Sequence, residues 1–203
     1  TSPYPNPIDP AVFAGAPRAN RIDELNLAKL QSLNLPPSPD AGDAVFLRRA
    51  YLDATGTLPP PEAVDAFAAD ADPGKRAKLI GRLLDSPEFV DYWTYKWSDL
   101  LLVSSKKLPA PAMWAFSRWV REAVASNRPW DQFARELLTA KGSTLDNGAA
   151  NYFVLHRDPI DLTESTSMAF LGLSLTCARC HNHPMEKWTQ DQYYGMANLF
   201  ARV

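Results

Sequence analysis

Proline recurs along the chain where helical periodicity begins, and this limits the fold more than any other feature. Its ring fixes φ and removes the amide hydrogen, so proline suits the first turn of a helix and is excluded from helix interiors and central strands. Asp72-Pro73 and Ser86-Pro87-Glu88 each set a capping residue before proline, and Pro59 to Pro61 open another start. The first leads to Leu79, Ile80, Leu83 and Leu84. The second leads to Phe89, Tyr92, Trp93, Trp97, Leu100 and Leu101, and the third to Val64 and Phe67. These sets recur with the spacing of one helix face.

The same period appears elsewhere. A helix is expected after Asn20, with Ile22, Leu25, Leu30 and Leu33 as its apolar face and Asn34-Leu35-Pro36-Pro37 as its end. Asp43 to Thr55 carries Phe46, Leu47, Ala50, Tyr51 and Ala54 on one side, with Gly56 as C-terminal cap. Further helices are predicted over Pro111–Ser126, Trp130–Ala140 and Leu162–Leu173, and a last one capped by Thr189 carries Tyr193, Tyr194, Met196 and Phe200. Gly142 to Ala150 reads as a polar loop. No segment alternates as a strand would, so the expected class is all-α. The first twenty residues, with Pro3, Pro5, Pro7, Pro10 and Pro17, read as an extended proline-rich arm, and residues 21–203 as a single multi-helix domain.

A chain of 203 residues with 46% hydrophobic content can bury one sizeable core. Its formal net charge of −2, with no basic run longer than Lys106-Lys107, argues against a nucleic-acid partner. No stretch approaches the roughly 20 consecutive apolar residues of a membrane span, and no charged-then-apolar signal segment opens the chain.

Both cysteines fall in one short motif, Cys177-Ala178-Arg179-Cys180-His181, and C-x-x-C-H is the attachment signature of a c-type haem. The spacing lets both sulfurs meet one edge of a flat macrocycle through thioether bonds, with His181 turning under its centre as proximal iron ligand. One covalent haem c is therefore the expected cofactor, in a segment near the C-terminus. Zinc wants four ligands, usually as two separated pairs, and here His183 crowds against the other three. A thioredoxin-like redox pair needs a strand feeding the motif, which the pattern does not supply. A zinc-stapled interaction domain and a thiol or disulfide role remain as alternatives.

The chain resembles the planctomycete cytochrome domain family, presumed c-type cytochrome domains of large exported bacterial proteins. The resemblance runs from Ile22 to Val203 through Phe46-Leu47-Arg48-Arg49, Leu52 to Pro60, Arg157-Asp158-Pro159, Phe170-Leu171-Gly172, and Cys177 to His183 with Pro184, Trp188, Asp191, Tyr193 and Tyr194. Arg179 stands where an uncharged residue is commoner. The resemblance implies an exported protein larger than this segment, with a second conserved domain after the haem domain. Covalent haem attachment takes place outside the cytoplasmic membrane, so a periplasmic or extracytoplasmic location is expected, with a signal sequence that this chain does not carry.

Function then turns on the iron's other face. Two protein ligands suit electron transfer, with a redox partner protein or the fused C-terminal domain as partner. An open face suits a peroxidase-like enzyme or a small-ligand sensor. His156 lies far enough upstream to return over the distal face and is the candidate distal ligand, although a lone histidine beside apolar residues is more often a packed or surface imidazole. His183 is tethered too closely to His181 to reach that face and is expected to contact the haem periphery or fix the turn before Pro184. Met168 and Met196 are weaker candidates, because methionine at helical spacing is usually core filler. Trp188, close behind the motif, is expected to wall the porphyrin, with Trp93, Trp97 and Trp119 as further candidates against a bundle-core role. Arg179, Arg157 and Lys187 are candidate propionate partners. Glu164 reads as an N-terminal helix acid, with a buried partner for such a cation as the alternative. No phosphate loop or nucleophile elbow is present, so no catalytic residue is named.

Overall fold

The computed structural model describes residues 8–201, so Pro3, Pro5 and Pro7 of the expected arm lie outside the described residues. Among the described residues the chain is all-α, with eleven α-helices and no strand. It divides into two compact units, Thr1–Phe46 and Leu47–Val203, with the boundary inside the third helix.

In the first unit, helix α1 spans Pro10–Ala14 and buries Phe13. Asp9 accepts a hydrogen bond from the Ala11 amide at 2.9 Å, so Asp9-Pro10 is another cap-proline start and the extended reading fails here. The Arg18 guanidinium then donates to the carbonyls of Phe13, Ala14 and Ala16, serving acceptors left open where the helix stops. Helix α2, Arg21–Ser32, opens with a capping box between Asn20 and Asp23. It ends at Asn34, where φ is +54°. The expected apolar face is wrong: Ile22 and Leu25 are 75% and 56% exposed, whereas Leu27 is 7% exposed. At about 100° per residue, Leu27 centres a different face from the one Ile22 and Leu25 define.

Helix α3 covers Asp43–Thr55, as the periodicity predicted. Gly56 ends it at φ +70°, and a Cβ there would stand 2.4 Å from the Tyr92 ring, so the position excludes a side chain twice over. Helix α4, Pro61–Ala69, buries Phe67 but leaves Val64 exposed. Helix α5, Lys75–Leu84, buries Leu79 and Leu83 and leaves Ile80 and Leu84 exposed. It begins later than Asp72-Pro73 implied, because the Asp72 carboxylate binds the Gly74 amide and holds a turn first. Helix α6, Pro87–Leu100, is capped by Ser86, whose Oγ accepts from the Phe89 amide at 3.2 Å.

Helices α7, Ala110–Ala125, and α8, Trp130–Leu138, complete the principal core of the second unit. Phe116, Val120 and Leu137 are fully buried there. Trp97, Trp119, Trp130 and Phe133 form a connected aromatic cluster with ring centroids 4.1–6.0 Å apart. The expected polar loop over Gly142–Ala150 ends differently from its composition: Gly148–Ala150 is a buried single turn. A Cβ on Gly148 would fall 2.2 Å from the Ala115 carbonyl oxygen, so the missing side chain is what lets this turn lie on α7.

Helix α9, Asn151–Leu155, follows directly, and α10, Pro159–Thr166, begins with Asp158 accepting from the Ile160 amide at 2.7 Å. The last expected stretch of that helix widens into a π-turn over Ser167–Leu171 and stops at Gly172, φ +62°. A short 3₁₀ turn, Thr176–Arg179, carries the first part of the cysteine motif. Helix α11, Gln190–Leu199, starts with a capping box between Thr189 and Gln192.

Candidate functional site

The cysteine motif lies between α10 and α11 on a small apolar foundation. Leu175, Ala178 and Tyr193 are buried together, with Ile160, Leu173, Trp188 and Met196 packed around them. Ala178, the first residue between the cysteines, is completely buried, while Cys177, Cys180 and His181 are exposed. The tight turn thus directs its alanine inward and leaves both thiols and the imidazole at the surface.

Hydrogen bonds fix the turn from both sides. The Arg179 carbonyl accepts from Gln190 Nε2 and from the Tyr194 hydroxyl, both at 3.1 Å. These donors stand four residues apart on α11, hence on one helix face. The Gln190 amide donates to Asn182 Oδ1 at 3.0 Å, and the Asn182 carbonyl stands 2.8 Å from His181 Nδ1. A carbonyl only accepts, so Nδ1 carries a proton, and in the neutral imidazole the lone pair is then on Nε2. Beneath this, the Tyr193 hydroxyl donates to Glu164 Oε1 at 2.9 Å. Burial, followed by the Glu164 carboxylate, pushes the Tyr193 phenol well above its ordinary pKa. Glu164 therefore links α10 to α11, and its reading as an N-terminal helix acid is corrected.

His183 belongs to the turn. Its Nδ1 accepts from the amides of Met185 and Glu186 at 3.2 and 3.0 Å, and its own amide donates to the Trp188 carbonyl at 2.8 Å. Trp188 is half-buried on the apolar foundation, with Lys187 Nζ 5.4 Å from its ring centroid. Arg179 is exposed, and its charge acts on Tyr193.

Other sequence-derived candidates stand elsewhere. His156 is 2% exposed, with Nδ1 3.3 Å from Ser165 Oγ and its ring edge-on to Tyr152. Its Nε2 is buried without a hydrogen-bond partner, and burial holds the imidazole below its ordinary pKa, opposed in part by the Leu101 carbonyl. None of these neighbours is a partner of His181. Arg157 donates Nε to the Val154 carbonyl at 3.2 Å. Trp97 and Trp119 join the aromatic core, and Trp93 packs with Phe89 and Tyr92. Met196 Sδ receives the Ser167 hydroxyl at 3.5 Å, whereas Met168 is half exposed. Among the described residues no three His, Cys, Asp or Glu side chains gather as a metal ion requires, which leaves the zinc-stapled reading without a ligand set.

Sequence reading missed Asn182 and Gln190. One local signal bears on the second: Thr189-x-x-Gln192 is a capping box, which puts Gln190 at the first position of the helix behind the motif. Nothing local marks Asn182, whose role depends on where that helix lies.

No helix among the described residues is long and apolar enough to cross a membrane. No curated protein and no solved structure matches the chain. Residues 21–203 match the family described as Protein of unknown function (DUF1549), PSCyt2, and the chain belongs to that family.

Proposed function

We propose that the chain is an exported monohaem c-type cytochrome domain that transfers electrons. The observation carrying this reading is that Cys177, Cys180 and His181 are all exposed on one short turn, with His181 Nδ1 engaged by the Asn182 carbonyl and Nε2 left free. The donor set fits the group. Cys177 and Cys180 would each add a thiol across a vinyl group, the sulfur bonding to one carbon and the hydrogen going to the other, with nothing released. His181 would bind the iron through Nε2 while its Nδ1–H stays with the Asn182 carbonyl, the outer contact that fixes a ligating histidine. A haem held there supplies a one-electron iron couple. Trp188 would shield one edge, and Arg179 would offer its guanidinium to a propionate. Attachment of this kind places the protein outside the cytoplasm, with a redox protein or a fused domain as electron partner.

Protein matured with the cytochrome c biogenesis machinery should give a covalent c-type pyridine haemochrome. Cys177→Ser with Cys180→Ser should abolish it. Absence of that spectrum in the wild type would overturn the reading.

A second reading, an enzyme or sensor with an open distal face, is favoured by one observation: His156 is enclosed by Tyr152 and Ser165 rather than presented beside His181. Carbon monoxide distinguishes the two. Prompt binding to the reduced protein supports the open face, and no binding supports a six-coordinate carrier.

A further inference from the structure

Asn182 occupies an unusual place in the hydrogen-bond pattern. Its main-chain oxygen meets His181 Nδ1 at 2.8 Å while its side-chain oxygen meets the Gln190 amide at 3.0 Å. Gln190 is the first residue of α11, where amides have no acceptor within the helix, so Asn182 supplies one. The Gln190 side chain returns to the Arg179 carbonyl at 3.1 Å. One residue of α11 therefore grips the chain immediately before and immediately after Cys180-His181. The capping box fixes Gln190 in turn: Thr189 N donates to Gln192 Oε1 at 3.0 Å, and Gln192 N to Thr189 Oγ1 at 3.2 Å.

We infer that Asn182 and Gln190 are positioning residues for His181, forming a latch that sets the imidazole tautomer and presents Nε2 outward. His181 is exposed, so no surrounding wall immobilises its ring. Its orientation depends on the peptide oxygen beside it, and that oxygen is held where it is through the Asn182 side chain. The latch is a property of the polypeptide. Its consequence for iron ligation rests on the haem reading, and the two can fail separately.

The test uses two ways of opening the latch and one of keeping it. Asn182→Ala removes the acceptor. Gln190→Pro removes the donor at the first helical position, where proline is well tolerated, so the helix itself should survive. Asn182→Asp retains an acceptor oxygen. In the reduced full chain without haem, nitrogen NMR of the His181 ring above the ordinary imidazole range, at about pH 8.5, should show the Nδ1–H tautomer in the wild type and in Asn182→Asp. Both latch-opening variants should lose it to a tautomer mixture while far-ultraviolet circular dichroism stays unchanged. Covalent haem yield after maturation should then fall by about tenfold in those two variants and recover in Asn182→Asp, the scale typical for loss of an outer contact to a ligand. Retention of the Nδ1–H tautomer in both opened variants would overturn the latch, as would failure of Asn182→Asp to restore it. A wild type that shows the tautomer but no covalent haem would sink the haem reading and leave the latch standing.

Discussion

The α6–α8 core and the Cys177–Trp188 segment are held by different forces. In the core, Phe116, Val120 and Leu137 are removed from water altogether, and aromatic rings from three helices interlock. Across residues 177–188 Ala178 alone is fully buried, and the first amide of α11 with its Gln190 and Tyr194 side chains holds the segment by hydrogen bonds. Burial is non-directional and tolerates small shifts of a ring. Hydrogen bonds are directional and weaken steeply when geometry drifts. A rigid core thus carries a segment whose shape depends on a few polar contacts, each open to removal without dismantling the unit.

The largest effect should come from the core. Phe116→Ala leaves a cavity in a fully buried site and should lower unfolding free energy by about 3–5 kcal/mol, read from the urea midpoint. A loss below about 1 kcal/mol would show that the bundle is not the stabilising half of the comparison. Tyr193→Phe removes the hydroxyl bonded to Glu164 and should weaken the α10–α11 junction by about 1.5–3 kcal/mol. Hydrogen exchange should accelerate at the Ala178 and His181 amides and remain slow at Phe116 and Val120. Equal acceleration in both regions would erase the distinction drawn between them.

His156 gives the core a pH dependence of its own. Burial lowers its pKa in the folded chain, so the unfolded chain binds more protons as pH falls below about 6.5. Its contribution is complete above that pH and declines below it, by no more than about 1.4 kcal/mol per pH unit. His156→Gln should flatten the fall of the urea midpoint between about pH 7 and pH 5. An unchanged slope would assign the acid sensitivity to other groups. The smallest effect belongs to Lys187→Ala, which removes an exposed cation from the Trp188 ring and should cost about 0.5 kcal/mol. Double-mutant analysis with Trp188→Leu isolates that pair.

Local chemistry made much of this fold readable. Ser86-Pro87 fixed the start of α6, Asp43 and Gly56 bounded α3, and Thr189 announced α11, because each signal acts within a few residues. Asp9-Pro10 follows the same rule and was obscured by the prolines around it. Faces were less legible than ends. Ile22 and Leu25 look inward by period, yet Leu27 is the buried residue of α2, since periodicity does not say which side meets a neighbour. The motif identified its two thiols and its histidine directly. It did not identify Asn182, Glu164 or the face of α11, whose partners are separated in sequence and meet only through folding.

The π-turn over Ser167–Leu171 carries a consequence for the lineage of such chains. A π-turn accommodates one residue more than an α-helical turn, and each residue of an α-helix advances about 100° around the axis. Deleting one residue there would restore ordinary winding with the chain beyond Gly172 kept in phase, whereas adding or deleting one within α10 itself would turn that exit by about 100°. Ala178 would then miss its place beneath Tyr193. Length changes in α10 ahead of the turn are therefore expected to be penalised more heavily than substitutions at the exposed Met168 or Leu171 of the turn, because they would rephase everything downstream.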